Sequence, residues 1–238
     1  MNGPRRVAQN ALVRIAGAAG FLEGELALPL QPAGVVLFAL GSGSSRHSRR
    51  NLAVAAQLRE AGLGTLLVDL LSAQEDQRDE ARFDIDLLTR RLAEATRWLS
   101  TDPRTAGLPL GLFGASTGAA AALRVAADAP GAVTAVVSRG GRPDLADRAA
   151  LRAVRAPVLL VVGGNDDIVL AINREALAEL RGPKRLSIVP RATHLFPEPG
   201  ALAQVGRLAV DWFGRWFEAA LADAPGRSAG RSARLQSP

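Results

Sequence analysis

The pattern G-A-S-T-G at residues 114–118 contains the side chain with the clearest potential for chemistry in this chain. It follows the apolar run 108–113 and precedes the helix-forming run 119–123. A strand, a tight turn with serine at its tip and then a helix form a nucleophile elbow, in which a strained backbone exposes the serine hydroxyl. The pattern therefore predicts a nucleophilic Ser116, with the Thr117 backbone N–H at a helix N-terminus facing a developing oxyanion. The alternative is an ordinary glycine-rich turn whose serine only caps the helix.

Two later loops carry the residue types that must accompany a serine nucleophile. Loop 163–169 contains Asp166 and Asp167, and loop 190–196 contains His194, one of two histidines in the chain. A serine hydroxyl is a poor nucleophile at neutral pH unless a base lies within hydrogen-bond reach, and imidazole suits this task. Each loop follows an apolar, strand-like run, and ligands bind outside the carboxyl ends of strands in parallel sheets. The chain order Ser, Asp, His therefore predicts one site at that edge.

Apolar runs alternate with segments of helical spacing, and this order predicts the fold. Predicted strands lie at 11–17, 21–29, 35–40, 65–70, 108–113, 133–137, 157–162 and 185–189, and predicted helices at 49–61, 84–100, directly after the elbow, 144–154, 168–181 and 200–222. We expect an α/β fold: a mainly parallel, doubly wound sheet of about seven to eight strands with helices on both faces. The first two strands are expected to form an antiparallel edge hairpin, and 72–81 a loop. One domain is predicted over 1–222, followed by a disordered tail at 223–238 that is rich in Pro, Gly, Ser and Arg.

The composition narrows the class of protein. With 48% hydrophobic and 22% charged residues, a chain of 238 residues is typical of one globular domain. The absence of cysteine excludes a disulfide framework, a thiolate metal site and a cysteine nucleophile, and it fits a cytoplasmic location. The net charge is +6, but there is no tyrosine and no basic stripe interleaved with aromatic residues, so nucleic-acid binding is not expected.

Membrane association is not expected either, because no run reaches the roughly 18 apolar residues of a membrane span. The basic N-terminus precedes an apolar stretch, as in a signal peptide. However, Arg14 interrupts that stretch and an amphipathic strand continues from residue 21. We therefore interpret the N-terminal segment as part of the fold.

Neither a cofactor nor a metal is predicted. The run G-S-G-S-S-R at 41–46 lies between a strand and a helix, as a dinucleotide-binding loop does, and Asp69 could mimic its ribose-binding acid. Arg46 replaces the third glycine of that motif, however, and its side chain prevents the close packing of helix on strand that the motif needs. The single lysine, Lys184, lies outside any G-K-[ST] motif, and the two distant histidines lack an H-E-x-x-H pattern.

Over roughly residues 10–220 the chain resembles α/β hydrolases of the dienelactone hydrolase-like group. It is especially similar to small bacterial members, some of which are fused to a phosphoribosyltransferase domain. The resemblance rests on five segments, at residues 37–46, 114–118, 138–145, 163–166 and 192–196. Together they are specific for the superfamily and say little about the substrate.

The resemblance implies a catalytic triad. Ser116 would be the nucleophile, His194 the general base, and Asp166 the acid that orients the imidazole and stabilises the imidazolium. Asp166 matches the G-x-x-D-x-x-V spacing of the family, whereas Asp167 is the local competitor. Asp166 is also placed to cap the helix that follows, and capping and catalysis are compatible.

The resemblance also implies an oxyanion hole and an open site. The Thr117 N–H would act together with an N–H of the loop after the first buried strand, for which Ser42 is the candidate. Related hydrolases often have His-Gly at the position of Leu40-Gly41, and dienelactone hydrolases use cysteine where this chain has serine. Only about 20 residues separate strands 133–137 and 157–162, enough for one short helix, so a minimal cap domain or none is expected.

These observations predict a serine hydrolase acting on a small ester, lactone or thioester. Arg46, His47 and Arg139 are candidate substrate-binding residues, and one hypothesis is that arginines at this edge, Arg142 included, bind an anionic group. Solvated arginines, or arginines that only hold loops, are the competing interpretation. Two alternative functions stay open: a non-catalytic binding module on a hydrolase scaffold, and acyl transfer through the same triad.

Overall fold

The computed structural model describes residues 7–18, 20–41 and 43–223. In this part of the chain eight strands form one sheet. The strands are β1 (Val7–Gly17), β2 (Gly20–Pro29), β3 (Val35–Ala39), β4 (Gly64–Val68), β5 (Leu110–Ala115), β6 (Ala135–Arg139), β7 (Val158–Gly163) and β8 (Lys184–Val189). The predicted tail is almost wholly outside the described residues, which end at residue 223.

The sheet has the order β1-β2-β4-β3-β5-β6-β7-β8. Strands β4, β3, β5, β6, β7 and β8 pair in parallel, whereas β2 is antiparallel to both β1 and β4. The six parallel strands therefore present all their carboxyl ends at one edge of the sheet. This confirms the predicted mainly parallel sheet with an antiparallel edge hairpin.

Seven α-helices within the described residues cover the two faces of the sheet. They are α1 (Arg49–Glu60), α2 (Asp79–Phe83), α3 (Ile85–Thr101), α4 (Thr117–Asp128), α5 (Arg148–Ala153), α6 (Asp167–Glu179) and α7 (Ala201–Asp223). Buried side chains of α3, α4, α5 and α6 pack in one core on one face, and those of α1 and α7 pack in a second core on the other. The two cores hold the sheet between helical layers, as the doubly wound prediction requires.

The central strands are mostly apolar, because both of their faces are covered. Every residue of β3, β4, β5, β6 and β7 is buried. Aromatic rings of α7 lie directly on the sheet, where a side chain at Gly111 would collide with the Phe213 ring at 2.5 Å. The continuous apolar runs of the sequence correspond to these doubly covered strands.

Two connections differ in detail from the prediction. The segment predicted as a loop at 72–81 contains a 3-10 helix, Glu75–Gln77, and the start of α2. These short helices could not be predicted from the polar segment, since neither has an apolar stripe long enough to show helical periodicity. The connection from β6 to β7 contains a 3-10 helix, Pro143–Ala146, and α5, so no cap domain covers the carboxyl edge here.

Candidate active site

The turn from β5 to α4 has the strained backbone of a nucleophile elbow. Ser116 has φ 50° and ψ −123°, a conformation that costs a non-glycine residue about 1–3 kcal/mol. Glycines flank it for steric reasons. A Cβ at Gly114 would lie 2.4 Å from Ala119 Cα, and one at Gly118 would lie 2.2 Å from Ala39 O.

Backbone hydrogen bonds fix the elbow to the end of β6. The Ser116 N–H donates to Arg139 O at 3.3 Å, and the Arg142 N–H donates to Ser116 O at 3.1 Å. The Ser116 side chain makes no capping hydrogen bond to α4. The simple capping interpretation of this serine is therefore wrong.

Asp166 and His194 meet across 28 residues of sequence. Their contact joins Asp166 Oδ2 to His194 Nδ1 at 2.7 Å. Because a carboxylate can only accept, Nδ1 carries the proton and Nε2 is left with its lone pair available to act as a base. Asp166 stands at the N-cap position of α6, but its side chain makes no capping hydrogen bond. The Asp166 carboxylate is engaged by His194, whereas Asp167 is the first residue of α6 and is exposed.

The two loops that carry this pair are fastened to each other. The Asn165 N–H donates to Ala192 O at 2.9 Å, and a Cβ at Gly163 would lie 2.4 Å from the same oxygen. Phe196 anchors the second loop in the core with 2% exposure, although its φ is 56°. The geometry of the acid–base pair is therefore set by the packing of one loop on the other.

Glu198 adds a restraint that the sequence did not reveal. Its Oε1 accepts hydrogen bonds from Thr193 N at 3.0 Å and Thr193 Oγ1 at 2.6 Å, directly before His194. The hydrogen bond from the Thr193 hydroxyl, the largest cause, lowers the pKa of Glu198 although desolvation opposes it, which favours the charged carboxylate. A glutamate five residues from its partner in an irregular loop has no periodicity that would have predicted this contact.

Gly140 lies between the elbow and the histidine. It follows Arg139, has φ 50°, and a Cβ on it would lie 3.2 Å from His194 O and 3.5 Å from His194 Cε1. Among the described residues no hydrogen bond joins His194 to Ser116. In unliganded hydrolases this bond is often long and tightens when substrate binds.

The first half of the predicted oxyanion hole lies at the elbow. Thr117 is the first residue of α4 and is buried. Gly41 packs against the elbow, because a Cβ there would lie 2.7 Å from Ala115 O. Leu40, which stands where related hydrolases often have histidine, is buried in the core. Ser42 lies outside the described residues, and its role stays a prediction.

The candidate substrate-binding arginines have different surroundings. Arg46 contacts Asp69 and Glu23 in ion pairs, and its backbone N–H donates to Asp69 Oδ1 at 2.6 Å. Arg142 contacts Asp144 at 2.6 Å.

Arg139 is different, because it is buried and makes no hydrogen bond through Nε or Nη1. Burial, reinforced by the charge of Arg50, lowers the pKa of Arg139 to about 10. His47 is exposed and lines a cleft of about 450 Å³ together with Arg46.

The geometry agrees with comparison to known proteins. A family model described as the dienelactone hydrolase family matches residues 22–211. The chain belongs to this family. The family and fold predicted from the sequence are thereby confirmed, and the chain is assigned to a family of hydrolases.

Two solved structures illustrate the family relationship and the fold. A dienelactone hydrolase from Anabaena variabilis is 53% identical, with a TM-score of 0.84 over 87% of this chain and 98% of that one. An esterase domain from Rhodothermus marinus is 22% identical, with a TM-score of 0.72 over 88% of this chain and 99% of that one. The second likeness shows the shared α/β-hydrolase fold alone.

Two Mycobacterium tuberculosis proteins are also similar. One, provisionally named a phosphoribosyl transferase, is 57% identical over 192 residues, which cover 81% of this chain and 43% of that protein. The other is uncharacterised and is 32% identical over 185 residues, covering 68% of this chain and 63% of that protein. The chain thus spans less than half the length of the first of these relatives.

Neither a membrane-spanning helix nor a metal-binding cluster occurs among the described residues. No helix there is both long and apolar enough to cross a membrane. No group of three or more His, Cys, Asp or Glu side chains in that part of the chain is arranged to hold a metal ion.

Proposed function

We propose that this member of the dienelactone hydrolase family is a serine hydrolase that cleaves a small carboxylic ester, lactone or thioester through an acyl-enzyme on Ser116. His194 is the general base and Asp166 orients it. The hydrogen bond of 2.7 Å between Asp166 and His194 is the observation that carries this proposal.

The first half of the reaction forms the acyl-enzyme. His194 Nε2 takes the proton from Ser116 Oγ as the oxygen attacks the substrate carbonyl carbon, and the carbonyl oxygen becomes an oxyanion. The backbone N–H groups of Thr117 and Ser42 stabilise that oxyanion. His194 then gives its proton to the leaving oxygen or sulfur, the bond to the leaving group breaks, and the alcohol or thiol departs.

The second half releases the acid. His194 takes a proton from water as the water attacks the acyl carbon, and the same N–H groups bind the second oxyanion. The bond from the acyl carbon to Ser116 Oγ then breaks, and the oxygen recovers its proton from His194. An alcohol in place of water would give acyl transfer, which product analysis separates from hydrolysis.

A binding module would not need this arrangement. An aspartate at an N-cap position ordinarily accepts from backbone N–H groups of its own helix, and this contributes about 1 kcal/mol to stability. The Asp166 carboxylate makes no such capping bond and is hydrogen-bonded to His194 instead. Departures from local stability rules cluster at functional sites, which supports catalysis.

The transferase name of the Mycobacterium tuberculosis relative does not conflict with a hydrolase site. The 192 aligned residues make up 43% of that protein, and the rest of it lies outside the alignment. The elbow and the Asp166–His194 pair belong to the part of this chain that matches the hydrolase family model.

Labelling with a fluorophosphonate tests the proposal, because the probe reacts only with an activated serine. We expect a single adduct, located by peptide mass spectrometry on Ser116, which Ser116→Ala abolishes and His194→Ala reduces at least about 100-fold in rate. Ser45→Ala, which alters an exposed serine near the same edge, is the matched control and should label like the wild type. A folded wild-type protein that takes no label, or takes it on another serine, would refute the proposal.

A further inference from the structure

Arg139 is a buried cation with no counterion among the described residues. Its side chain is 7% exposed, and Nε and Nη1 have neither solvent contact nor a hydrogen bond. Its charge is therefore desolvated without compensation, which proteins avoid unless the charge is paired. Arg46 and Arg142, at the same edge of the sheet, each have a carboxylate partner. The contrast favours a bound ligand as the partner of Arg139.

The side chain of Arg139 extends toward α1. Successive residues of a strand point to opposite faces, so Arg139 shares a face with Val137. Val137 packs in the core that contains Val54 and Leu58 of α1. Arg139 therefore reaches the same face at the carboxyl edge, beside the start of α1.

Arg50 brings a second positive charge to this place. It lies in the first turn of α1, and its charge contributes, after burial, to the lowered pKa of Arg139. Arg50 Nε is also buried and makes no hydrogen bond. Two guanidinium groups, each with a buried donor that makes no hydrogen bond among the described residues, therefore lie close enough to interact, although like charges repel.

The helix end itself is positive and uncompensated. The first turn of α1 contains no acidic residue, and Ser48 at the N-cap position makes no side-chain capping hydrogen bond. The N-terminus of a helix favours anions through its backbone N–H groups and its dipole. Three positive features therefore converge at this point: Arg139, Arg50 and the start of α1.

We propose that Arg139, Arg50 and the N-terminus of α1 form a subsite that binds an oxyanion group of the substrate, with a phosphate group as the preferred occupant. A dianionic phosphate balances both guanidinium charges, and its oxygens match the planar donors of arginine. A carboxylate offers the same chemistry with half the charge. The inference rests on the proposed function, which it deepens by defining the substrate as an anionic ester.

The subsite adjoins the nucleophile, and this limits the size of the substrate. Arg139 O accepts the Ser116 N–H at 3.3 Å, so the residue that binds the anion also holds the elbow. The anionic group and the scissile carbonyl are therefore expected to be only a few bonds apart. A small phosphorylated ester fits this arrangement.

Thermal unfolding of the full chain tests the subsite without any need for activity. Inorganic phosphate, against sodium chloride at equal ionic strength, should raise the wild-type Tm by about 3–6 °C at ten times its Kd. Arg139→Met should abolish this response, and Arg50→Gln should weaken phosphate binding at least about tenfold. Arg49→Gln is the matched control, because Arg49 is an exposed neighbour in the same helical turn, and it should keep the response.

The Tm without phosphate separates binding from a purely structural role. Because Arg139 is an unpaired buried charge, Arg139→Met should leave the Tm unchanged or raise it. A lower Tm together with a retained phosphate response would show that Arg139 only supports the fold. No phosphate response in the wild type, or an equal loss in Arg49→Gln, would also overturn the proposal. A stronger response to acetate than to phosphate would support the subsite with a carboxylate as its occupant.

Kinetics link the subsite to the reaction. We expect kcat/KM for acetylglycerol phosphate to exceed that for monoacetylglycerol at least about tenfold, and Arg139→Met to reduce this ratio to about one. A second pair of esters, 4-nitrophenyl hemisuccinate and 4-nitrophenyl butyrate, makes the same comparison with a carboxylate as the anionic group. Ser116 could take the label while the anionic-to-neutral ratio of kcat/KM is one and phosphate has no effect on Tm. That result would refute the subsite and leave the proposed hydrolase function intact. If phosphate raises Tm but Ser116 takes no label, the proposed hydrolase function fails and the anion site stands.

Discussion

Two groups of polar residues lie at the carboxyl edge of the sheet. They differ in whether their side chains and backbone are in locally stabilising arrangements. The residues proposed for catalysis and anion binding, called the catalytic group, are Ser116, Arg139, Asp166 and His194. They include a strained backbone, a buried charge without a partner among the described residues, and an aspartate that does not cap its helix. The paired group, Glu23, Arg46, Asp69, Glu75 and Arg91, consists of side chains joined in ion pairs.

The paired group fixes the loops beside the site. Arg91 lies on α3, and its Nη1 and Nη2 donate to the two oxygens of Glu75 at 2.7 and 2.8 Å. Nη1 also donates to Leu70 O, just after β4. Arg46 joins the loop after β3 to Asp69 and to Glu23 of β2. Ion pairs therefore stabilise the loops, whereas the groups without such partners at the same edge are those proposed to bind the ligand and to react.

The largest effect is expected within the catalytic group. Asp166→Asn should reduce kcat by about 10³–10⁴-fold, because an amide in place of the carboxylate favours the wrong tautomer of His194. Asp167→Asn, the adjacent exposed carboxylate, should reduce it less than about threefold. Steady-state hydrolysis of a short-chain ester measures both.

Stability measured on the same two variants sharpens this prediction. Since the Asp166 side chain makes no capping hydrogen bond, Asp166→Asn should change the Tm by less than about 2 °C. Equal losses of activity in Asp166→Asn and Asp167→Asn would contradict the triad assignment.

The elements of the catalytic group were more predictable than its contacts. Ser116 was recognisable because the strand, turn and helix of the elbow are consecutive in the chain. The close contacts of the elbow require glycine at positions 114 and 118, and the sequence has glycine at both. The sheet was predictable because doubly covered strands require unbroken apolar runs. The preference for Asp166 over Asp167 came from spacing, and the contact with His194 agrees with it.

The paired and unpaired arginines could not be distinguished in the sequence. Arg46 and Arg139 both lie near the ends of apolar runs, but the partners of Arg46 are Asp69, which follows β4, and Glu23 on β2, which is brought near by antiparallel pairing with β4. Whether a charge is paired depends on tertiary contacts between residues far apart in the chain. The hydrogen bonds of Glu198 to Thr193 depend on an irregular loop, for which sequence periodicity gives no signal.

In the paired group, loss of Glu75 should reduce stability rather than catalysis. Hydrogen bonds from Arg91, the largest cause, lower the pKa of Glu75 to about 2. Glu75→Gln should therefore reduce the free energy of unfolding at pH 7 by about 2 kcal/mol, which is typical of a charge-assisted hydrogen-bonded pair. Urea denaturation measures this loss.

The pH dependence of that loss has a definite sign. The folded-state pKa of Glu75 lies below its ordinary value of 4.5, so its contribution is complete above pH 4.5 and disappears as the pH falls toward about 2. The difference between wild type and Glu75→Gln should therefore shrink over this interval. A difference that stays constant from pH 7 to pH 2.5 would show that the ionised pair does not stabilise the fold.

The smallest effect is expected for Arg46→Gln, which distinguishes a paired arginine from an unpaired one. The free energy of unfolding should fall by about 1 kcal/mol, because Glu23 is exposed and Asp69 still accepts the backbone N–H of residue 46. Urea denaturation and the anionic-to-neutral ratio of kcat/KM give the two readouts.

Arg46→Gln and Arg139→Met should therefore have opposite effects. Arg46→Gln lowers stability and keeps the preference for an anionic ester within about twofold, since its guanidinium is already occupied by carboxylates. Arg139→Met keeps stability and loses the preference, since its guanidinium has no partner among the described residues. If Arg46→Gln also abolished the preference, ion pairing would not separate structural from ligand-binding arginines at this edge, and the anion would have to bind closer to β2 and β4 than to the elbow.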